Sequence, residues 1–140
     1  MAVKIGNRPR LRISLTCVAL TLLLSGCGVG GPAHGLPAAN VAATVDLGFF
    51  DFSPAQVTVH VGDTVEWRNR SLITHTVTDD PAQAGKPGDA ALPAGAPPFD
   101  SQDIAAGQIY LHRFTVPGLY RYFCMHHEAQ GMVATVIVQP

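Results

Sequence analysis

Residues 120–132 read YRYFCMHHEAQGM. The stretch holds Cys124, then His127 three residues on, then Met132 five further on. Thiolate, imidazole and thioether are the soft and borderline donors that copper prefers. A strand that ends at Cys124 and turns sharply can bring the three side chains round one point. A second imidazole would complete a set of two histidines and one cysteine with a weak axial methionine. His75, in the segment ITHTVT, is the candidate. It lies 49 residues before Cys124, so only tertiary folding can unite the two.

The C-x2-H-x4-M spacing of Cys124, His127 and Met132 resembles the ligand loop of plastocyanins and pseudoazurins, within the cupredoxin family. Val65-Glu66-Trp67-Arg68-Asn69, followed by His75-Thr76-Val77, resembles the family's first-ligand segment. Phe99-Asp100-Ser101, and then Phe114 to Tyr120 leading into Cys124, resemble its last strands. The similarity covers Thr44 to Val138. It implies a single all-β domain, a Greek-key β-sandwich, with one type 1 (blue) copper per chain. The implied ligands are His75, Cys124, His127 and Met132. The implied function is one-electron transfer between a donor and an acceptor protein, with copper cycling between Cu(I) and Cu(II) and no catalysis. His126 and His127 compete for one position, and the resemblance assigns it to His127. His126 stands where many plastocyanin-like loops have proline. Asparagine commonly follows the first histidine ligand in the family; here Thr76 does, and its hydroxyl is expected to take over part of that bonding. The resemblance also places the ring edge of His127 at the surface as the electron's exit, with Gly48, Met125 and Ala129 around it.

The start of the chain reads differently. Lys4, Arg8, Arg10 and Arg12 form a basic region with no acid, and Ile13 to Leu24 is apolar and uncharged. That run is short of the roughly 20 apolar residues of a permanent span. It ends in Leu24-Ser25-Gly26-Cys27, which resembles the lipobox of bacterial lipoproteins. The expected organisation is a signal peptide over residues 1–26, a lipidated Cys27 with a flexible Gly/Pro/Ala tether over 27–40, and a copper-binding domain over 41–140. This implies an exported monomer anchored to the membrane by lipid, on its periplasmic or extracytoplasmic side. Four of the nine basic residues lie in the leader, so the remainder keeps five against ten acidic ones, a formal charge of about −5. Nucleic acid is excluded as a partner on that balance. Of the three cysteines, Cys17 is in the leader and Cys27 is the lipidation site, which leaves Cys124 unpaired. An unpaired thiol in an exported protein needs burial or a metal to protect it.

From Val41 onward the pattern is β. Gln56 to Val61 alternates, with the valines on one face and His60 on the other. Thr64 to Asn69 carries the only tryptophan, Trp67, read as core. Ser71 to Thr78 is expected as a strand bearing His75, and Asp79 to Pro98 as a long surface loop with one helical turn near Ala90 to Leu92. Gly107 to Val116, Leu119 to Cys124 and Met132 to Val138 complete an antiparallel sandwich. His112, between Tyr110 and Phe114, is read as structural, and His34 as a solvated residue of the tether. Two other functions stay open. A copper-dependent oxidase or reductase, or its copper-containing subunit, would call for further histidine sets, and no H-x-H pair is present. A copper delivery or storage protein would favour methionine-rich or histidine-rich clusters, and only Met125 and Met132 follow the leader.

Overall fold

The computed structural model describes residues 40–140; the expected leader, Cys27, His34 and the tether before Asn40 lie outside the described residues. Seven strands stand among them: β1 (Val41–Leu47), β2 (Phe52–Ser53), β3 (Gln56–His60), β4 (Thr64–Asn69), β5 (Ile109–Arg113), β6 (Gly118–Phe123) and β7 (Val133–Gln139). They form two sheets, in the orders β2-β1-β4-β5 and β3-β7-β6. Period-two burial explains the layering. In β3 Val57 and Val59 point inward, in β7 Ala134, Val136 and Val138, and in β1 Val45 and Leu47. Trp67 is fully buried between the sheets, its ring 5.7 Å from Tyr110 and 5.5 Å from Tyr122. His112 stacks 4.5 Å from Phe99, a structural role that fits its place in the aromatic core, where burial lowers its pKa.

The sandwich is not purely antiparallel. β1 runs parallel to β4, and β3 parallel to β7. After β1 the chain makes the short β2 and crosses to the other sheet, so the consecutive strands β2 and β3 lie in different sheets. Strand direction leaves no trace in the alternation of side chains.

Two further expectations are corrected. Ser71 to Thr78 is not a strand; it is irregular backbone touched by isolated bridges such as His75–Ile104 and Thr78–Phe123. Side chains have taken its ladder bonds: Thr76 N–H donates to Cys124 Sγ at 3.3 Å and Val77 N–H to Ser101 Oγ at 2.8 Å. The stretch around Ala90 to Leu92 is extended, not helical. Ala91 and Arg121 exchange backbone hydrogen bonds of 3.0 and 2.8 Å, so the loop covers the free edge of β6. A Cβ on Gly118 would sit 2.6 Å from Pro93 Cγ, and the φ of +140° there also calls for glycine. Tyr120 closes the Pro117-Gly118 turn by donating its hydroxyl to Val116 O at 2.8 Å.

The long segment after Thr78 is pinned at both ends. At its neck, Thr78 Oγ1 donates to Phe99 O at 2.9 Å, and Phe99 N–H donates to Asp79 Oδ1 at 2.8 Å. Farther out, Gly85 and Lys86 each donate a backbone N–H, both at 2.9 Å, to the two carboxylate oxygens of Glu128.

Candidate metal centre

β6 delivers Cys124 to the edge of the core, where the chain turns. His127 N–H donates to Cys124 O at 3.0 Å, and a 3-10 turn follows over Glu128–Gln130. Gly131, at φ 84°, ends that turn in the left-handed region and returns the chain to β7. Met132 is thereby tied to both earlier residues: its N–H donates to His127 O at 3.2 Å, and its carbonyl accepts from Cys124 N–H at 3.1 Å. The tight loop needs glycine at one place, Gly131, and the sequence has it there.

His75 reaches the same point from the irregular segment before Val77. Its backbone exchanges hydrogen bonds with Ile104, 3.2 and 2.8 Å long, which fixes the segment's depth. Cys124 Sγ lies 3.8 Å from His75 Nδ1 and 3.4 Å from His127 Nδ1. Ligand atoms of His75, Cys124 and His127 all fall within 4.8 Å of one another, the one such group of three among the described residues. His75, Cys124 and Met132 are fully buried, and His127 is half-buried. The donor chemistry is one thiol and two imidazole nitrogens turned toward it, with a buried thioether in the same loop. That set fits copper and suits neither magnesium nor calcium, which take oxygen.

Electrostatics keep the imidazoles neutral, as metal ligands must be. Burial lowers the pKa of His75, with His127 and His126 adding to it, while Asp51 and the Gly48 carbonyl oppose. Burial likewise lowers that of His127, helped by His126. His126 itself points away, its Nε2 2.8 Å from Asp103 Oδ1 and both side chains exposed, so the two histidines do not meet the sulfur together. Thr76 lies where the sequence suggested: its hydroxyl accepts Met125 N–H at 2.8 Å and sits 3.9 Å from Cys124 Sγ, joining the segments that carry His75 and Cys124.

Sequence reasoning missed four contributors. Phe50 packs its half-exposed ring 5.2 Å from that of His127. Gly48 is half-buried, and Met125 and Ala129 are exposed as expected, whereas nothing in the sequence marked Phe50 as the aromatic cover. Asn69 and Ser71, both buried, surround the far side of His75. Polar residues at the end of a strand as buried as β4 were the available signal. Glu128 was passed over because its partners are backbone amides 42 and 43 residues away.

A two-sheet β-sandwich carrying a cysteine and two histidines in this arrangement defines a cupredoxin, a small copper protein. Residues 39–139 match the copper binding proteins of the plastocyanin/azurin family. Chloroplastic plastocyanin of Tetradesmus obliquus is 39% identical over 106 residues, 73% of this chain and 68% of its own. The plastocyanin of Nostoc punctiforme is 31% identical over 131 residues, 91% of this chain and 93% of its own. Among solved structures, a reduced amicyanin variant is 31% identical with a TM-score of 0.54, over 70% of this chain and 82% of its own. The chain belongs to the plastocyanin/azurin family. It is a blue-copper electron carrier with one copper per chain and redox proteins as partners, not an enzyme.

Proposed function

We propose that His75, Cys124, His127 and Met132 are the copper ligands, that the exposed edge of His127 is the electron's way in and out, and that Cys27 carries a lipid anchor holding a monomeric carrier at the outer side of a bacterial membrane. The observation that carries the ligand assignment is the convergence of two Nδ1 atoms on one buried sulfur. Copper supplies the one-electron couple, Cu(I)/Cu(II). The chain's own groups do the rest. Cys124 binds as a thiolate, because coordination removes the thiol proton. Thr76 N–H, 3.3 Å from that sulfur, stabilises its negative charge and so helps set the potential. Burial of His75, Cys124 and Met132 excludes water and holds the donors still, which keeps reorganisation small when the oxidation state changes. His127 and Phe50 together present a ring edge and an apolar face to a redox partner, a surface on which brief docking does not require charge pairing.

The test of the ligand set is visible and paramagnetic-resonance spectroscopy of copper-loaded protein with titrated stoichiometry. One copper per chain and an intense, reversibly bleached blue or green colour are expected. Cys124→Ser abolishes that colour and His126→Ala keeps it. Colour retained in Cys124→Ser, or lost in His126→Ala but kept in His127→Ala, refutes the assignment.

The anchor follows from the Leu24-Ser25-Gly26-Cys27 motif and the tether after it. Each buried CH2 of an acyl chain contributes about 0.8 kcal/mol, so several chains on one cysteine hold the protein at a bilayer. Cys27→Ser releases the protein from membranes or blocks its processing; an unmodified mature N-terminus elsewhere, found by mass spectrometry, refutes this.

A further inference from the structure

Four residues before His75, Ser71 places its hydroxyl oxygen 2.8 Å from the ring Nε2. Counting hydrogens in the surrounding pocket decides which way that bond runs. Asn69 Nδ2 lies 2.8 Å from Ile73 O and 2.8 Å from Ile104 O, so the amide gives both its hydrogens to carbonyls. Reversing it would set an oxygen against two oxygens, which leaves Oδ1 facing Ser71. Oδ1 accepts Ser71 N–H at 2.9 Å and the Ser71 hydroxyl at 2.8 Å. A serine hydroxyl has one proton to give. Its other neighbour of acceptor type, Ile73 O at 3.1 Å, competes for that same proton. One lone pair of Ser71 Oγ faces the Ile73 N–H at 3.3 Å, and the other is left for His75.

We infer that Asn69 and Ser71 fix the tautomer of His75: Nε2 carries the proton and donates to Ser71, so that Nδ1 offers its lone pair toward Cys124 before any metal is bound. This rests on the reading of His75 as a ligand. Both residues are positioning residues; neither touches the metal position in this account. The opposite tautomer would aim an N–H at the sulfur and would have to be reversed before copper could bind. The depth of the relay adds to its effect, since Asn69, Ser71 and His75 are all buried and no bulk water competes for the ring proton. Ile104 references the whole arrangement: its carbonyl takes Asn69 Nδ2–H and also His75 N–H, so ring and backbone of His75 are held to one neighbour.

The test uses copper-free, full-length protein with 15N-labelled histidine at mildly alkaline pH, read by long-range 15N–1H correlation. A single His75 tautomer protonated on Nε2, with a slowly exchanging proton, is expected. A dominant Nδ1–H form, or averaged signals from two tautomers, overturns the inference, and this wild-type measurement needs no variant. Ser71→Ala is expected to lose the slow proton and to bind copper about 10- to 100-fold more weakly, with Ser71→Thr restoring both. A folded Ser71→Ala that keeps the slow Nε2 proton and full copper affinity also overturns it. The ligand reading fails separately: His75→Ala that retains the blue colour refutes the ligand role whatever the tautomer.

Discussion

Replacing Asp79 by asparagine tests how the neck of the long segment is held. Asp79 is fully buried, and its Oδ2 has no hydrogen-bond partner. Burial raises its pKa from 3.8 to about 6, assisted by Asp80 and opposed by the N–H groups of Phe99 and of Asp79 itself. The folded state therefore holds this proton more tightly than the unfolded chain does. Its contribution to stability is complete below about pH 4 and is lost as pH rises through about 6. A shift of roughly two pKa units corresponds to about 3 kcal/mol lost between those limits. Asparagine keeps an oxygen for Phe99 N–H and cannot ionise. Its NH2 group, with two hydrogens, stands where Oδ2 has no hydrogen-bond partner, which imposes a constant offset of about 1–3 kcal/mol. The slope is therefore the diagnostic quantity, not the absolute stability. Urea unfolding of the copper-free protein, repeated from about pH 4 to about pH 8, gives the difference between variant and wild type. That difference is expected to move in favour of Asp79→Asn by about 3 kcal/mol between about pH 4 and pH 7 and then to level off. Other carboxylates and the histidines titrate in both proteins and cancel. A flat difference, or one moving in favour of wild type, refutes the account of a buried carboxyl ionising against its surroundings.

Glu128→Ala removes both acceptors for Gly85 and Lys86; amide exchange at those two residues and proteolysis between Asp80 and Asp89 are expected to accelerate, corresponding to about 2 kcal/mol of local stability, with Glu128→Gln intermediate. Unchanged exchange would mean that the clasp contributes nothing. Gly118→Ala sets a Cβ against Pro93 at a φ of +140° and is expected to lose about 1–3 kcal/mol in urea unfolding, with Pro93→Ala recovering part of the loss.

The strands that alternate cleanly, β3 and β7, were legible because one face is buried and the other is not. The loop of the candidate site was legible because Cys124, His127, Gly131 and Met132 are local: spacing alone nearly determines what they can reach. His75 was found by resemblance, since nothing near it in sequence reveals Cys124. What stayed hidden depends on partners distant in the chain. The segment from Ser71 to Thr78 has a strand's composition, yet its amides go to a sulfur and a serine hydroxyl supplied from elsewhere. Glu128 looks like any surface acid of a turn until two amides of another segment meet it. Asp79, next to Asp80 in a polar stretch, gives no sign that one of the pair is fully buried and the other is not.

The order of the second sheet, β3-β7-β6, has a consequence for how the protein comes into being. Its middle strand is the last of the seven to leave the ribosome, and it joins residue 135 to residue 56. Until β7 arrives, β3 and β6 have nothing between them, and the loop that ends at Met132 has no return path. Such widely separated pairings must close long loops before any contact rewards them, so they form late and slowly. A chain of this topology completes its second sheet only after β7 has been made. The segments of Cys124 and His75 bond to each other directly, but the loop from Cys124 to Met132 closes only when that final strand docks.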